Sequence, residues 1–209
     1  FTNNISIMTP YAQILTFLFL MLGPFKIIAP FAKITMGADR SLTKKLAFRS
    51  ILYASIALLL AGSLGETILS KYGIPIPILA LAGGIVIFLV ALLEIIKQFT
   101  PHEAPGENQI TPSLKMAMNP LAFPTIVTPY GIATIIVFLS MFSDSKSQLI
   151  IAAIIVGIML LNLVTMLVTK RIFKYLSVVL PILGAVLGIV QVALGLLIIY
   201  NQLNELVGI

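Results

Sequence analysis

Between positions 113 and 142 a long apolar run is cut by Pro120, Pro124, Pro129 and Gly131. Each proline removes a backbone donor and crowds the carbonyl four residues before it, so a helix laid along this run is interrupted. In water such a stretch is a loop. Here 59% of the residues are hydrophobic and only 10% charged, against about 25% charged in soluble domains, and the run belongs in lipid. Interrupted backbone is tolerated at bilayer depth only where protein buries it or where it lines a wet cavity. The stretch therefore reads as half of a solute or ion site near the midplane, the use that secondary transporters make of discontinuous helices. The other half is 22–31, where Gly23, Pro24 and Pro30 break the first apolar run in the same manner.

At about 20 residues per span, a chain of 209 residues accommodates six transmembrane helices. Apolar runs punctuated by Gly, Pro and charge place them near 10–34, 47–69, 76–96, 113–142, 148–168 and 176–200. The expected architecture is an all-α membrane protein of two three-helix halves, 1–98 and 113–209, joined by a polar linker over 99–112. Residues 1–9 carry no Lys or Arg, so the first apolar run reads as a retained span rather than a cleavable signal. Cysteine is absent, which excludes disulfides and thiol chemistry.

The net charge of +6 belongs to topology and not to nucleic acid, because no basic run alternates with aromatics. Lys33, Arg40, Lys44, Lys45, Arg49, Lys97, Lys115, Lys170, Arg171 and Lys174 fall in three loops that share one side of a six-span chain, while only Lys71 and Lys146 face the other. The positive-inside rule makes the richer side cytoplasmic and both termini external. With three spans in each half, the halves enter from opposite faces, so any repeat between them is inverted. Leu22-Gly-Pro-Phe-Lys-Ile and Val127-Thr-Pro-Tyr-Gly-Ile, each an X-Pro-aromatic step in the first span of its half, are the sequence trace of such a repeat.

The run from Leu60-Ala-Gly-Ser through Tyr72-Gly-Ile, the segment Leu81-Ala-Gly-Gly-Ile, and Pro120-Leu-Ala-Phe-Pro followed by Pro129 and Ile132-Ala-Thr resemble elements of the MarC family of prokaryotic six-helix inner-membrane proteins. The resemblance covers nearly the whole chain. It implies a LysE-like transporter fold and, from some members, small neutral amino acids such as glycine and alanine as cargo. The family's first break usually reads Asn-Pro-X-Gly-X-X-Pro. This chain has Gly23, Lys26 and Ala29 at the Asn, Gly and second Pro, with Pro30 one place later, and Thr128-Pro129-Tyr130 where the family has Gly-Pro-Gly.

The candidate substrate-binding residues are Gly23, Pro24, Lys26, Asn119, Pro120, Thr125, Thr128, Pro129, Tyr130, Gly131 and Asn162. Lys26 is the sharpest of them. An ammonium at the centre of a span costs roughly 2.5 to 3.5 kcal/mol on insertion scales, so it faces the protein interior or snorkels towards the nearer membrane face. In the interior it would replace a coupling cation or bind a substrate carboxylate. Thr125, Thr128, Tyr130 and Thr134 offer hydroxyls beside backbone freed by the prolines. Freed amides attract a carboxylate and freed carbonyls an ammonium, and a zwitterion needs both. Asn162 and Gln191 are amides within spans, a type that also serves as interhelical glue. Glu66 and Glu94 lie near span ends, where solvation accounts for them. His102 has no His or Cys near it, so no metal site is expected. Gly83-Gly84 and Gly184 with Gly188 allow close helix approach within the monomer. No nucleophile paired with a base lies at membrane depth, so no enzyme is expected. No Walker motif is present, and ATP-driven transport would need a second chain.

The reading that follows is a secondary transporter of a small neutral or zwitterionic solute, using H+ or Na+ as coupling ion and no cofactor, in the prokaryotic inner membrane and open to homo-oligomerisation. An ion-conducting channel on the same scaffold and a non-transporting membrane scaffold are the alternatives.

Overall fold

The computed structural model describes residues 10–99, 111–142, 144–176 and 179–208. They form seven α-helices: α1 (Pro10–Leu22), α2 (Phe25–Ile34), α3 (Arg40–Tyr72), α4 (Ile76–Phe99), α5 (Pro129–Met141), α6 (Ser145–Leu176) and α7 (Val179–Val207). An irregular helical segment, Leu114–Ile126, precedes α5. No strand occurs among the described residues. Ile14–Ile34, Arg40–Leu69, Ile76–Leu93, Ser145–Phe173 and Val179–Val207 are long and apolar enough to cross a membrane. Leu114–Ile126 with α5, bent by 63°, makes a sixth if the pair is one span. The linker expected over 99–112, with His102, lies largely outside the described residues, as does the side chain of Glu94.

Helix ends follow local chemistry. The expected second span starts at 47, yet α3 begins seven residues earlier, because Asp39 caps it by accepting from Leu42 N at 2.9 Å. A charged, solvated first turn is invisible to an apolar count but costs the helix nothing once its amides are capped. Gly73, with φ of 62°, closes the other end in the left-handed conformation that glycine alone adopts freely. Asp144 accepts from Ser147 N at 2.8 Å at the start of α6, and these hydrogen bonds from Ser147 hold its carboxyl below the usual carboxylate range. The fifth and sixth spans likewise end later than their apolar runs, α6 at Leu176 and α7 at Val207.

The core gathers around the broken elements. Leu18, Met21 and Phe31 of α1 and α2, Leu46 and Leu58 of α3, Leu121 of the irregular segment, Ile135 of α5, and Ile155 and Met159 of α6 are all fully buried. The outward faces are apolar too, with Leu60, Leu64, Leu89, Leu160 and Ile189 about half exposed. A molecule apolar both inside and outside has lipid as its solvent.

Helices α4 and α7 form the most extensive helix pair, and glycine brings them together. A Cβ on Gly195 would lie 2.8 to 2.9 Å from Phe88 N, Cα and Cβ, and one on Gly84 would lie 2.9 Å from Ile198 Cγ2. Small residues allow this backbone approach, and dispersion then holds helices that lipid does not push together. Gly184 has open space around it, so of the two spacings expected to serve packing it contributes nothing. Gly195 contributes most. Gly195→Ala is expected to force the helices apart at a place where no side chain can yield, lowering stability by about 1 to 3 kcal/mol. Thermal denaturation in detergent micelles checks it.

Candidate functional site

Helix α1 stops at Leu22 because Gly23 and Pro24 cannot continue it. Pro24 has no N–H for the carbonyl of Leu20, four residues before it, and an unpaired buried carbonyl is costly. Gln191 of α7 fills the vacancy, donating from Nε2 to Leu20 O at 2.9 Å. Asn162 of α6 donates from Nδ2 to Leu22 O at 2.8 Å and to Ile158 O at 3.0 Å. Two amides from two other helices thus cap the free end of α1.

The second break repeats the device. Asn119 and Phe123 each precede a proline and are extended, with φ and ψ of −129° and 120° and of −129° and 129°, as the residue before proline prefers. Pro124 has no donor for the carbonyl of Pro120, and the Thr125 hydroxyl donates to that oxygen at 2.8 Å. Thr128 then caps α5, accepting from Gly131 N at 3.1 Å with Pro129 as the first helical residue. Thr134 donates to Tyr130 O at 2.8 Å.

The two breaks meet. A Cβ on Gly131 would come within 2.7 Å of Leu22 Cδ2. Half-buried Lys26, on the first turn of α2, donates a hydrogen bond to the Tyr130 hydroxyl. Its Nζ also lies 4.5 Å from the centroid of the Tyr130 ring, within cation–π range, and 3.5 Å from Gln191 Oε1. All these partners are neutral, and no ion pair involving Lys26 occurs among the described residues. Beside it, a cavity of about 80 Å³ is lined by Lys26, Gln191, Phe25, Gly184 and Gly188, among others. It is large enough for a few waters or a solute of a few heavy atoms. A larger cavity of about 170 Å³ between α4, α5 and α7 has Gly83, Gly84 and Phe138 in its walls and no charged group among the described residues.

Of the residues singled out in the sequence, Gly23, Pro24, Lys26, Tyr130, Gly131 and Asn162 therefore stand at one junction. Asn119 and Pro129 are exposed and Pro120 is half-buried, and none of the three is held to that junction by a hydrogen bond. Asn119 has the extended backbone that a following proline favours and is exposed. The hydroxyls of Thr125, Thr128 and Thr134 are engaged by local backbone. Gln191 is the residue that the sequence undervalues: it joins the capped end of α1 to the lysine. Its signal was one amide between Val190 and Val192 in an otherwise apolar span.

Glu66 is half-buried near the end of α3, in a separate cleft with Ser140. No group of His, Cys, Asp and Glu among the described residues is arranged to hold a metal.

Seven helices, apolar on their lipid side and broken where two spans cross, define a multi-pass integral membrane protein. The family model described as MarC family integral membrane protein matches residues 8–207, and the chain belongs to that family. A UPF0056 membrane protein of Methanocaldococcus jannaschii is 26% identical over 189 residues, covering 90% of this chain and 92% of that protein. The UPF0056 inner membrane protein MarC of Citrobacter koseri is 26% identical over 120 residues, 54% of each chain. That of Salmonella typhimurium is 24% identical over the same length, also 54% of each. No solved structure matches the chain.

Proposed function

We propose that this protein is a secondary transporter of a small solute bearing a carboxylate, amino acid-like in size, bound where the breaks of the first and fourth spans meet. The observation that carries the reading is Lys26: an ammonium at a break, beside a small cavity, whose partners are all neutral. A buried cation without a counter-ion is expensive unless something brings the anion. Lys26 lines the cavity and donates to Tyr130, which holds the ammonium in place, so a carboxylate in the cavity receives a charge-assisted hydrogen bond from Lys26. The chemistry is binding and release, without a covalent step.

The pairing of elements supports a relation between the two halves. The first span packs on the broken fourth, α3 on α6, and α4 on α7, the pattern that a two-fold axis between halves produces. An inverted repeat with external termini and a cytoplasmic basic face is the version that agrees with the charge distribution. Alternating access is then a rocking of one half against the other, coupled to H+ or Na+.

Counterflow tests the proposal. Proteoliposomes loaded with unlabelled glycine or alanine are expected to accumulate the labelled amino acid transiently and saturably. Flux that rises linearly with concentration and shows no counterflow would point to a conducting pore, and the absence of any flux across a panel of small carboxylates would remove the transporter reading.

A further inference from the structure

At the basic end of the molecule, the first turns of α3 and the last turns of α6 wall a cleft of about 570 Å³, in which Arg40 and Lys44 face Lys170 and Arg171 across Thr43. Lys170 donates to Ala38 O at 2.6 Å, tying α6 to the turn before α3. It also lines an adjoining cleft that contains Lys33. Among the described residues, no carboxylate lines either cleft. Asp39, next to Arg40 in sequence, has its carboxylate engaged in capping α3. The side chains of Arg40, Lys44 and Arg171 make no hydrogen bond or ion pair among the described residues. Four cations drawn from two helices therefore converge with no carboxylate among the described residues to compensate them.

The depth of the cleft identifies what compensates it. On α6, exposed Leu167 and Val168 line the same cleft immediately before Lys170 and Arg171. On α3, Phe48 and Leu52, 64% and 55% exposed, follow Lys44 by one and two turns. On both helices the lipid-facing surface gives way to charge at this level, the level of phospholipid headgroups. We infer that the cleft holds the headgroup of an anionic phospholipid, its phosphate among Arg40, Lys44, Lys170 and Arg171, with acyl chains running down past Leu167 and Phe48. The positive-inside rule accounts for basic residues on this side. It does not account for four of them enclosing one volume, and Lys45 and Arg49, on the same turns of α3, line neither cleft.

Native mass spectrometry of the full chain, released from mixed phosphatidylglycerol and phosphatidylcholine micelles, tests the assignment. The expected result is retention of phosphatidylglycerol about tenfold over phosphatidylcholine, falling to near parity in the combined Arg40→Gln, Lys44→Gln, Arg171→Gln variant. Lys44→Gln alone, which removes no side-chain hydrogen bond, should cost about twofold, its share of that loss. The paired Lys45→Gln, Arg49→Gln variant, equal in kind but outside the cleft, should keep the preference. Equal loss in that control would reduce the effect to general surface charge, and an undiminished preference in the combined variant would overturn the site. Inorganic phosphate at millimolar concentration should leave the retained lipid in place; full displacement would make the cleft a site for the free anion and overturn the lipid.

Discussion

Replacing Lys26 by methionine is expected to weaken solute binding and counterflow by about ten- to a hundredfold while leaving the protein as stable as the parent, or more so. The two halves of that expectation share one cause. Hydrogen bonds to a charged group contribute roughly 1.5 to 3 kcal/mol each, so the loss of the ammonium should weaken binding of a small carboxylate by about ten- to a hundredfold. The same ammonium is half removed from water among neutral partners, and an apolar chain of similar length relieves that desolvation without emptying the space. A drop in affinity alone would also follow from a collapsed fold. A drop in affinity with an unchanged melting temperature would not. Arginine is expected not to rescue function, because its longer, planar guanidinium would occupy the cavity of about 80 Å³ beside Lys26 that the solute needs. If Lys26→Met transports glycine and alanine as the parent does, the lysine serves only to anchor α2 at the membrane face.

Much of this junction is written in the sequence, and the reason is chemical. Proline marks where a helix is apt to be interrupted, and Pro24, Pro120, Pro124 and Pro129 locate both breaks; Pro30, expected to belong to the first, instead lies inside α2 without ending it. Lys26 announced itself because a charge at that depth has few places to go. What the sequence leaves open is how each break is satisfied. The donors for Leu20 O and Leu22 O come from Gln191 and Asn162, 171 and 140 residues away, and one polar residue in a span reads the same whether it caps a backbone or binds a solute. Helix ends beyond the apolar runs were hidden for a related reason. Asp39 and Asp144 cap helices whose first turns lie in water, where hydropathy has no signal. Asn119 adjoins the second break in sequence, and its exposure there is not legible from the sequence, because the extended backbone before Pro120 redirects the chain.

Gly23→Ala is expected to be the most damaging single-methyl change in the chain. A Cβ at this position would sit 2.1 Å from the carbonyl oxygen of Phe19 and 3.2 Å from its carbon, far inside contact distance. The obstacle is backbone, which cannot step aside as a side-chain tip can. Relief requires the last turn of α1 to unwind or α2 to swing away, and either motion withdraws the carbonyls of Leu20 and Leu22 from Gln191 and Asn162. Each buried polar group left without its partner costs about 1 to 3 kcal/mol, and Asn162 is only 1% exposed, so water does not substitute for what it loses. The combined loss is expected to exceed about 3 kcal/mol, read as a large fall in melting temperature in detergent and as poor recovery of folded protein from membranes. Gly131→Ala is the fitting comparison from the other side of the same junction. Its added methyl meets Leu22 Cδ2 at 2.7 Å, a side-chain tip that can rotate, and Thr128 Oγ1 at 2.9 Å, whose displacement costs the cap of α5 but involves no buried backbone clash, so its cost should be the smaller of the two. Equal melting temperatures for Gly23→Ala and the parent would mean that the end of α1 tolerates movement, and a binding junction built on a fixed break would lose its footing.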